Sequence, residues 1–374
     1  MSLRQIASVE IHSLVNELQP KIAGGFVKKF YDLGDGAFKL GFHKEGKSIT
    51  VYCKLLQTFN ETKLTENAGE PTQFAMGIRK RIEGCKVKSL GQHGTDRIII
   101  LEIFSEGGIR KLIIEMFGKG NMVLTDPNGI IELCHSSISF KDREIRPRAE
   151  YRFPKSEALD IWETSESLIL KAIAPAIGKA KAMSELSRII DVGPLYLENL
   201  FNLSGIDPKG TITDGREAES LAKTISAFAV QSNGPDPRIY RSESITDYAI
   251  LPIKKYEEQG MEITRFESVS EMFDALHSGE RSSVGNVEGE KRIAELRANI
   301  KKQEELVIRL KSDTEAYQKA GTILMARMQE INSLIRYMAQ NRRATLDEIR
   351  STFKGLRIKG LDLKNKTITI EVEG

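Results

Sequence analysis

The chain has 374 residues, too many for one ordinary core, so roughly two to three domains are expected. Fifty-five Lys and Arg stand against 52 Asp and Glu, a net charge of +3 that excludes a histone-like global field and leaves only local basic patches. Three scattered cysteines (Cys53, Cys85, Cys134) without a CxxC pair argue against a disulfide framework and a structural zinc site. With no apolar run of membrane length and no leader pattern, a cytoplasmic protein is expected.

Residues 6–19 repeat apolar side chains at helical spacing, and Pro20 with Gly24-Gly25 marks the exit. Alternating segments 25–33, 36–44 and 47–55, separated by Gly34-Asp35-Gly36 and Lys44-Glu45-Gly46, read as an antiparallel meander. A helix near 72–84 follows, then strands near 86–92, 96–104, 110–117, 121–126 and 129–135. The pattern turns helical from about 155 to 231, with short helices over 182–190 and 194–204 joined by Asp191-Val192-Gly193-Pro194. That turn reads either as a helix-hairpin-helix aiming backbone N–H groups at a phosphate or as a tight αα-corner with no ligand. Strands return over 236–252 and 261–267, a short helix over 268–277, and the polar stretch 278–289 reads as a linker.

A heptad run comes next. Ile293, Leu296, Ile300, Leu310, Leu324, Ile331 and Ile335 lie on its a/d seam, and Thr314 and Gly321 interrupt it. Such a repeat predicts a coiled coil from about 288 to 341, on the order of 80 Å long, which dimerises or pairs with a returning helix. A short amphipathic helix and a hairpin close the chain. The expected class is α+β: a β-rich domain over 1–160, a helix-hairpin-helix domain over 161–232, a return segment over 233–280, and a coiled coil with a small module over 288–374.

Residues 71–126 carry the most chemistry. Asp96 and Arg97 stand at a strand mouth, and adjacent strand residues point to opposite faces, which disfavours a mutual ion pair. A guanidinium there suits stacking on or forking to a base, and a carboxylate suits accepting from a base amino group. Arg79, Lys80 and Arg81 are consecutive on one helix and cannot share a face; such a run is either phosphate-binding or a solvated surface. Lys141, Arg143, Arg146, Arg148 and Arg152 form a second basic cluster, diluted by Glu144 and Glu150. Gly118-Lys119-Gly120-Asn121 is a hairpin turn without the frame of a phosphate loop. The five histidines have no metal-ligand spacing, and His93 precedes Asp96 by three residues. No nucleophile, metal or cofactor is called for, so the chemistry points to binding rather than to an enzyme.

The segments FAMGIRKRIEG, GTDRIIILEI and EMFGKGNMVLTD, followed in order by the helical turn and the late heptads, resemble the NFACT family, the group of RqcH and nuclear export mediator factor. The resemblance implies a glycosylase-like N-terminal domain. It also implies a factor of ribosome-associated quality control, which binds a large ribosomal subunit carrying an obstructed peptidyl-tRNA. Such a factor recruits aminoacyl-tRNA, often alanyl-tRNA, for C-terminal tailing without mRNA. The resemblance assigns tRNA contact to Asp96 and Arg97, to Arg79 and Lys80, and to Lys119 and Asn121; Arg146 and Arg148 join them as phosphate contacts from the basic cluster. Glu10 stands where the family usually has Asp. The returning arm and the NFACT-R domain are not met, so the chain reads as a shortened, archaeal-style member.

Two rivals remain on sequence grounds. A coiled-coil adaptor or adhesin that binds only proteins explains the heptads but not the basic patches. A DNA glycosylase-like enzyme needs an N-terminal Pro nucleophile and a four-Cys zinc finger, whereas this chain begins Met1-Ser2-Leu3.

Overall fold

A computed structural model of the chain describes residues 3–64, 70–243, 245–362, 365 and 367–371, with side chains except at 278–296 and 299. The chain divides into two compact units, Met1–Arg281 and Ser282–Gly374.

The first unit opens with α1 (Ser8–Ile22), whose Val9, Ile11, Leu14, Leu18 and Ile22 are wholly buried. The helix runs through Pro20 instead of ending there. Pro20 removes one backbone donor near a terminus, and burial of Leu18 and Ile22 on either side outweighs that loss. The stop comes at Gly24, whose φ of 81° a helix cannot continue. Strands β1 (Phe26–Gly34), β2 (Ala37–Lys44), β3 (Lys47–Lys54) and β4 (Thr58–Glu61) form an antiparallel sheet in that order. Its first two hairpins turn at Asp35-Gly36 and Glu45-Gly46, each pair with positive φ, as two-residue hairpins require.

Next, α2 (Gln73–Ile82) starts at Thr72, whose side chain accepts from the Ala75 N–H at 3.1 Å. A second antiparallel sheet follows in chain order: β5 (Val87–Gln92), β6 (Ile98–Ser105), β7 (Gly108–Glu115), β8 (Asn121–Thr125) and β9 (Ile131–Cys134). A pairing of Phe26 with Lys86 joins the two sheets at one corner. The small hairpin β10 (Ile138–Ser139) and β11 (Glu144–Ile145) has strands too short to leave an alternating pattern in the sequence.

Helices α3 (Glu166–Ile173), α4 (Ala182–Leu186), α5 (Pro194–Leu203) and α6 (Gly215–Gln231) come next. Then β12 (Arg238–Arg241) pairs with β13 (Thr246–Ala249) on one side and, after α7 (Lys254–Glu258), with β14 (Glu262–Arg265) on the other. One buried cluster runs from Ile6 to Leu276 and draws on α1 to α6 and on strands of all three larger sheets, and a smaller one gathers Ile98, Ile113, Val123, Ile131, Ile145 and Tyr151. The segments 1–160, 161–232 and 233–280 therefore share a core rather than each holding its own.

Helix α8 (Val269–Ala326) passes without a break through the stretch 278–289 that read as a linker. The three glycines of that stretch, Gly279, Gly285 and Gly289, cost about 1 kcal/mol each in a helix but are spread over about three turns, which does not stop a helix propagating from both sides. The long helix is instead interrupted at Arg327, where φ is −105° and ψ 17°, before α9 (Met328–Gln340) begins. The guanidinium of Arg327 binds Glu330 and the Gly355 carbonyl, tying the break to the chain beyond it. With α10 (Leu346–Thr352), β15 (Ile358–Asp362) and β16 (Thr367–Ile370), α9 encloses a small core of Leu334, Ala344, Ile349, Leu356 and Ile358.

This core corrects the seam. Ile331 packs against it, but Leu334, outside the a/d register, is the fully buried residue, and Ile335 is exposed. Ile331 and Met338, both d positions, face this core, whereas the a position Ile335 does not. Ile300, Leu310 and Leu324 are exposed, whereas the side chains of Ile293 and Leu296 lie outside the described residues. No described helix is long and apolar enough to cross a membrane.

Candidate nucleic-acid interface

Asp96 and Arg97 sit at the end of a turn built on Gln92. His93 N–H donates to the Ile98 carbonyl at 3.0 Å, Asp96 N–H to the His93 carbonyl at 2.9 Å, and Met116 N–H to the Arg97 carbonyl at 2.8 Å. The Gln92 amide donates to the Asp96 carbonyl at 2.9 Å and to the Ser8 carbonyl at 3.2 Å, and Ser8 Oγ donates to the Thr95 carbonyl. The turn is thus riveted to the first turn of α1, which removes most of its conformational freedom before any ligand arrives.

The two side chains do not pair with each other. Arg97 donates one N–H to Gln5 Oε1 at 3.0 Å. The Asp96 carboxylate has no hydrogen-bond or ion-pair partner among the described residues. Both are half-buried, so each has lost part of its hydration while keeping open hydrogen-bonding capacity. Arg97 lines a cleft of about 760 Å³ together with Gln5, Ser8, Ser184, Ser187, Asp191 and Pro194. The far wall is the turn before α5. Gly193 there has φ of 91°, and a Cβ on it would stand 2.7 Å from Ala7 Cβ. Two helix starts therefore meet across the cleft: Ala7 caps α1 and Gly193 caps α5, with Pro194 at the first helical position. Helix starts favour anions, although at α1 the Ala7 N–H is already taken by the protein's own Glu10 carboxylate. Asp191 opposes that field. Burial raises its carboxyl above the ordinary range, Arg97 pulls it back and Asp96 pushes it further up.

Beneath the cleft lies a buried charge network. The Glu10 carboxylate, fully enclosed, accepts from Arg4 (whose Nη1 stands at 3.1 Å), from Ala7 N–H at 2.7 Å and from the Tyr196 hydroxyl at 2.7 Å. Arg4 also donates to Asp247 at 2.9 Å and to the Tyr248 carbonyl at 2.6 Å. Tyr196 in turn accepts from Ile250 N–H at 2.9 Å. Direct contact between Glu10 and a polymer is not available in this arrangement, because its oxygens are taken up by protein donors. Glu10 instead clamps the N-terminal segment, α5 and the return segment around the cleft floor.

Asn121 is corrected in the same way. It is buried, donates to the Ser136 carbonyl at 2.8 Å and accepts from Met122 N–H at 3.0 Å and Ser136 N–H at 3.1 Å, so it pins a loop. Arg143 also leaves the surface cluster: buried, it pairs with Glu115 at 2.6 Å, and Tyr151 donates to the same carboxylate at 2.8 Å. Lys119, Arg146 and Arg148 are exposed, Arg146 with Glu144 at 2.7 Å. The three cations of α2 diverge. Arg79 donates to the Phe30 carbonyl at 2.7 Å and lies over the Tyr31 ring, Lys80 faces solvent, and Arg81 reaches Glu132 at 3.5 Å. Among the described residues no group of His, Cys, Asp and Glu is placed to hold a metal ion. Burial pushes the Cys53 thiol up, which keeps it unreactive.

Arg4, Gln5, Ser8 and Gln92, which build the floor and the hinge of the turn, do not stand out in the sequence. Their only signal was their place beside the first helix and the strand mouth.

Residues 8–358 match the family model for NFACT N-terminal and middle domains. The chain belongs to the NFACT family. It is 25 % identical over 359 residues to the archaeal Rqc2 homolog aRqcH of Methanocaldococcus jannaschii, covering 90 % of this chain and 52 % of that protein. It is 27 % identical over 288 residues to the Rqc2 homolog RqcH of Bacillus subtilis, covering 72 % of this chain and 48 % of that one. The chain thus spans about half the length of these two curated relatives. The human ribosome quality control complex subunit NEMF matches at 22 % identity over 95 % of this chain and 35 % of its own length. Among solved structures, the N-terminal part of a fibronectin/fibrinogen-binding protein from Streptococcus suis superposes with a TM-score of 0.60 at 21 % identity, covering 73 % of this chain and 99 % of that one. A fibrinogen binding protein from Staphylococcus aureus gives the same TM-score of 0.60 at 18 % identity, over 72 % and 98 %. This NFACT fold is mixed α and β with two antiparallel sheets of four and five strands.

Proposed function

We propose that this NFACT chain acts in ribosome-associated quality control as a tRNA-positioning factor. It binds a large ribosomal subunit that still carries an obstructed peptidyl-tRNA and holds an aminoacyl-tRNA, such as alanyl-tRNA, for C-terminal tailing without mRNA. The ribosome performs the peptide transfer, so the chain itself is not an enzyme. The observation that carries the reading is the partly free Arg97 guanidinium in the cleft, with the unpartnered Asp96 carboxylate next to it on the same turn and two helix starts converging there. Unpaired loop bases of an RNA present the edges and faces those groups recognise. Similarity to human NEMF, a ribosome quality control complex subunit, supports the ribosomal setting.

Arg97→Ala and Asp96→Ala are each expected to weaken discrimination for tRNA over unstructured RNA by roughly 1–3 kcal/mol, as for loss of one specific base contact. Melting temperature should stay near that of the parent, because neither side chain packs in the core. Fluorescence anisotropy with labelled tRNA and a thermal melt on the same samples decide the matter. Variants that melt far below the parent while binding tRNA normally would make the pair structural.

A second reading, a protein-binding adaptor, draws on the exposed Ile300, Leu310 and Leu324 of α8. Within the proposal these residues meet another helix, and in this chain alone a second copy supplies it. Leu310→Asp is expected to abolish dimerisation in light scattering across a concentration series while tRNA binding persists. A parent that stays monomeric at every concentration would remove the coiled-coil dimer from the account.

A further inference from the structure

The outer face of the second sheet carries a row that the cleft does not use. Phe26 stands directly opposite Lys86, Phe104 N–H donates to the Lys86 carbonyl at 2.9 Å, and Phe104 is opposite Ile109. Residues opposed across antiparallel strands share a face. The neighbours Val27, Val87 and Ile103 are wholly buried in the main core, so Phe26, Lys86 and Phe104 project the other way. Phe26 is 45 % and Phe104 48 % exposed, and neither ring stacks on another aromatic ring among the described residues. At the far end of this same face Ile98, Ile113 and Val123 are covered by Ile145 and Tyr151. The cover stops short of Phe104.

This bare end carries more cations than anions. The Lys86 ammonium is exposed and has no ion-pair or hydrogen-bond partner among the described residues. Lys88 and Lys111 converge on one carboxylate, Glu102, at 2.9 and 3.7 Å. Lys86 is thus left without a counter-charge between the two open rings, while Lys88 and Lys111 share Glu102 and the exposed Glu106 stands at the hairpin two residues from Phe104. Phe26 and Phe104 are two strands apart, roughly 10 Å, with Lys86 between them. That spacing lets one base lie on each ring while the linking phosphate passes over the ammonium, the combination by which sheet faces hold single-stranded nucleic acid.

We propose that Phe26, Lys86 and Phe104 form a second RNA-binding face, and that its occupant is an unpaired segment of large-subunit ribosomal RNA. Only that choice of source rests on the ribosomal reading above. Phe104 lies seven residues along β6 from Arg97, roughly 20 Å at strand spacing, so this face takes a different stretch of RNA from the cleft.

The test uses the full chain with the double substitution Phe26→Leu and Phe104→Leu, which keeps apolar bulk and removes the aromatic planes. The probes are a labelled oligouridylate in anisotropy, purified large subunits in co-sedimentation, and labelled tRNA; a thermal melt checks folding. The double variant is expected to bind oligouridylate at least about ten-fold more weakly than the parent. It should co-sediment correspondingly less while its tRNA affinity is unchanged, and Phe26→Trp with Phe104→Trp should restore oligouridylate binding. Parent-like binding of oligouridylate and subunits by the leucine variant would overturn the proposal and leave the face as an apolar protein contact. So would a parent with no affinity for oligouridylate. An Arg97→Ala variant run alongside reports on the cleft alone, so failure of either site is read separately.

Discussion

Glu10→Ala is expected to destabilise the first unit by about 3 kcal/mol, the cost of leaving a buried charged partner without its counter-charge. Three donors lose their acceptor at once: the Arg4 guanidinium, the Ala7 N–H and the Tyr196 hydroxyl. Arg4 keeps Asp247, which holds the loss toward the lower end of the range for broken buried pairs. Urea denaturation read by circular dichroism measures the change. Glu10→Asp should recover most of it, because the charge is retained and only a methylene is lost. Glu10→Gln should fall between, keeping acceptor capacity without charge. Equal stability of the alanine variant and the parent would mean that the network is dispensable. The folded fraction of Glu10→Ala should also bind tRNA more weakly, since Arg4 and the first turn of α1 form the cleft floor.

Gly193→Ala is expected to cost about 3 kcal/mol or more, by two separate mechanisms. At φ of 91° and ψ of 151° the backbone occupies a region that is strained for any residue with a Cβ. The added methyl would also stand 2.7 Å from Ala7 Cβ, so the start of α5 must move away from the start of α1. The second mechanism separates this position from an ordinary turn glycine. Ala7→Gly in the same chain removes the contact and should recover the steric part, leaving the backbone strain. A double-mutant cycle on the melting transition apportions the two. Full additivity would show that the helix starts do not press on each other.

The strands were legible where side chains alternate against one core. The hairpins at Asp35-Gly36 and Glu45-Gly46 announce themselves because two positive-φ residues between alternating runs have little other use. The end of α1 was not legible at Pro20, since the decision rested on burial of Ile22, a tertiary fact. The register of α9 was misread for the same reason: Leu334 and Ile335 are equally apolar, and the residues that choose between them, Ile349, Leu356 and Ile358, lie beyond the helix. At the site, Asp96 and Arg97 could be singled out as neighbouring charges at a strand mouth, although the strand begins only at Ile98 and the pair stands in the turn before it. Their surroundings could not. Arg97 meets Gln5, 92 positions earlier in the chain, and Glu10 meets Tyr196, 186 positions away. No local pattern records such meetings, so Glu10 and Asn121 looked like surface contacts when their oxygens were already committed to the protein.

The central claim is that the cleft of this NFACT chain takes tRNA, and a salt series tests it most directly. Labelled tRNA is titrated with the parent and with Arg97→Ala at increasing salt, and the logarithm of affinity is plotted against the logarithm of salt concentration. The parent slope is expected near −4 to −5, for about five phosphates met by Arg97 and the exposed Lys80, Lys119, Arg146 and Arg148, with a weaker and less selective variant. A parent that binds tRNA no better than unstructured RNA, or whose affinity ignores salt, would contradict it.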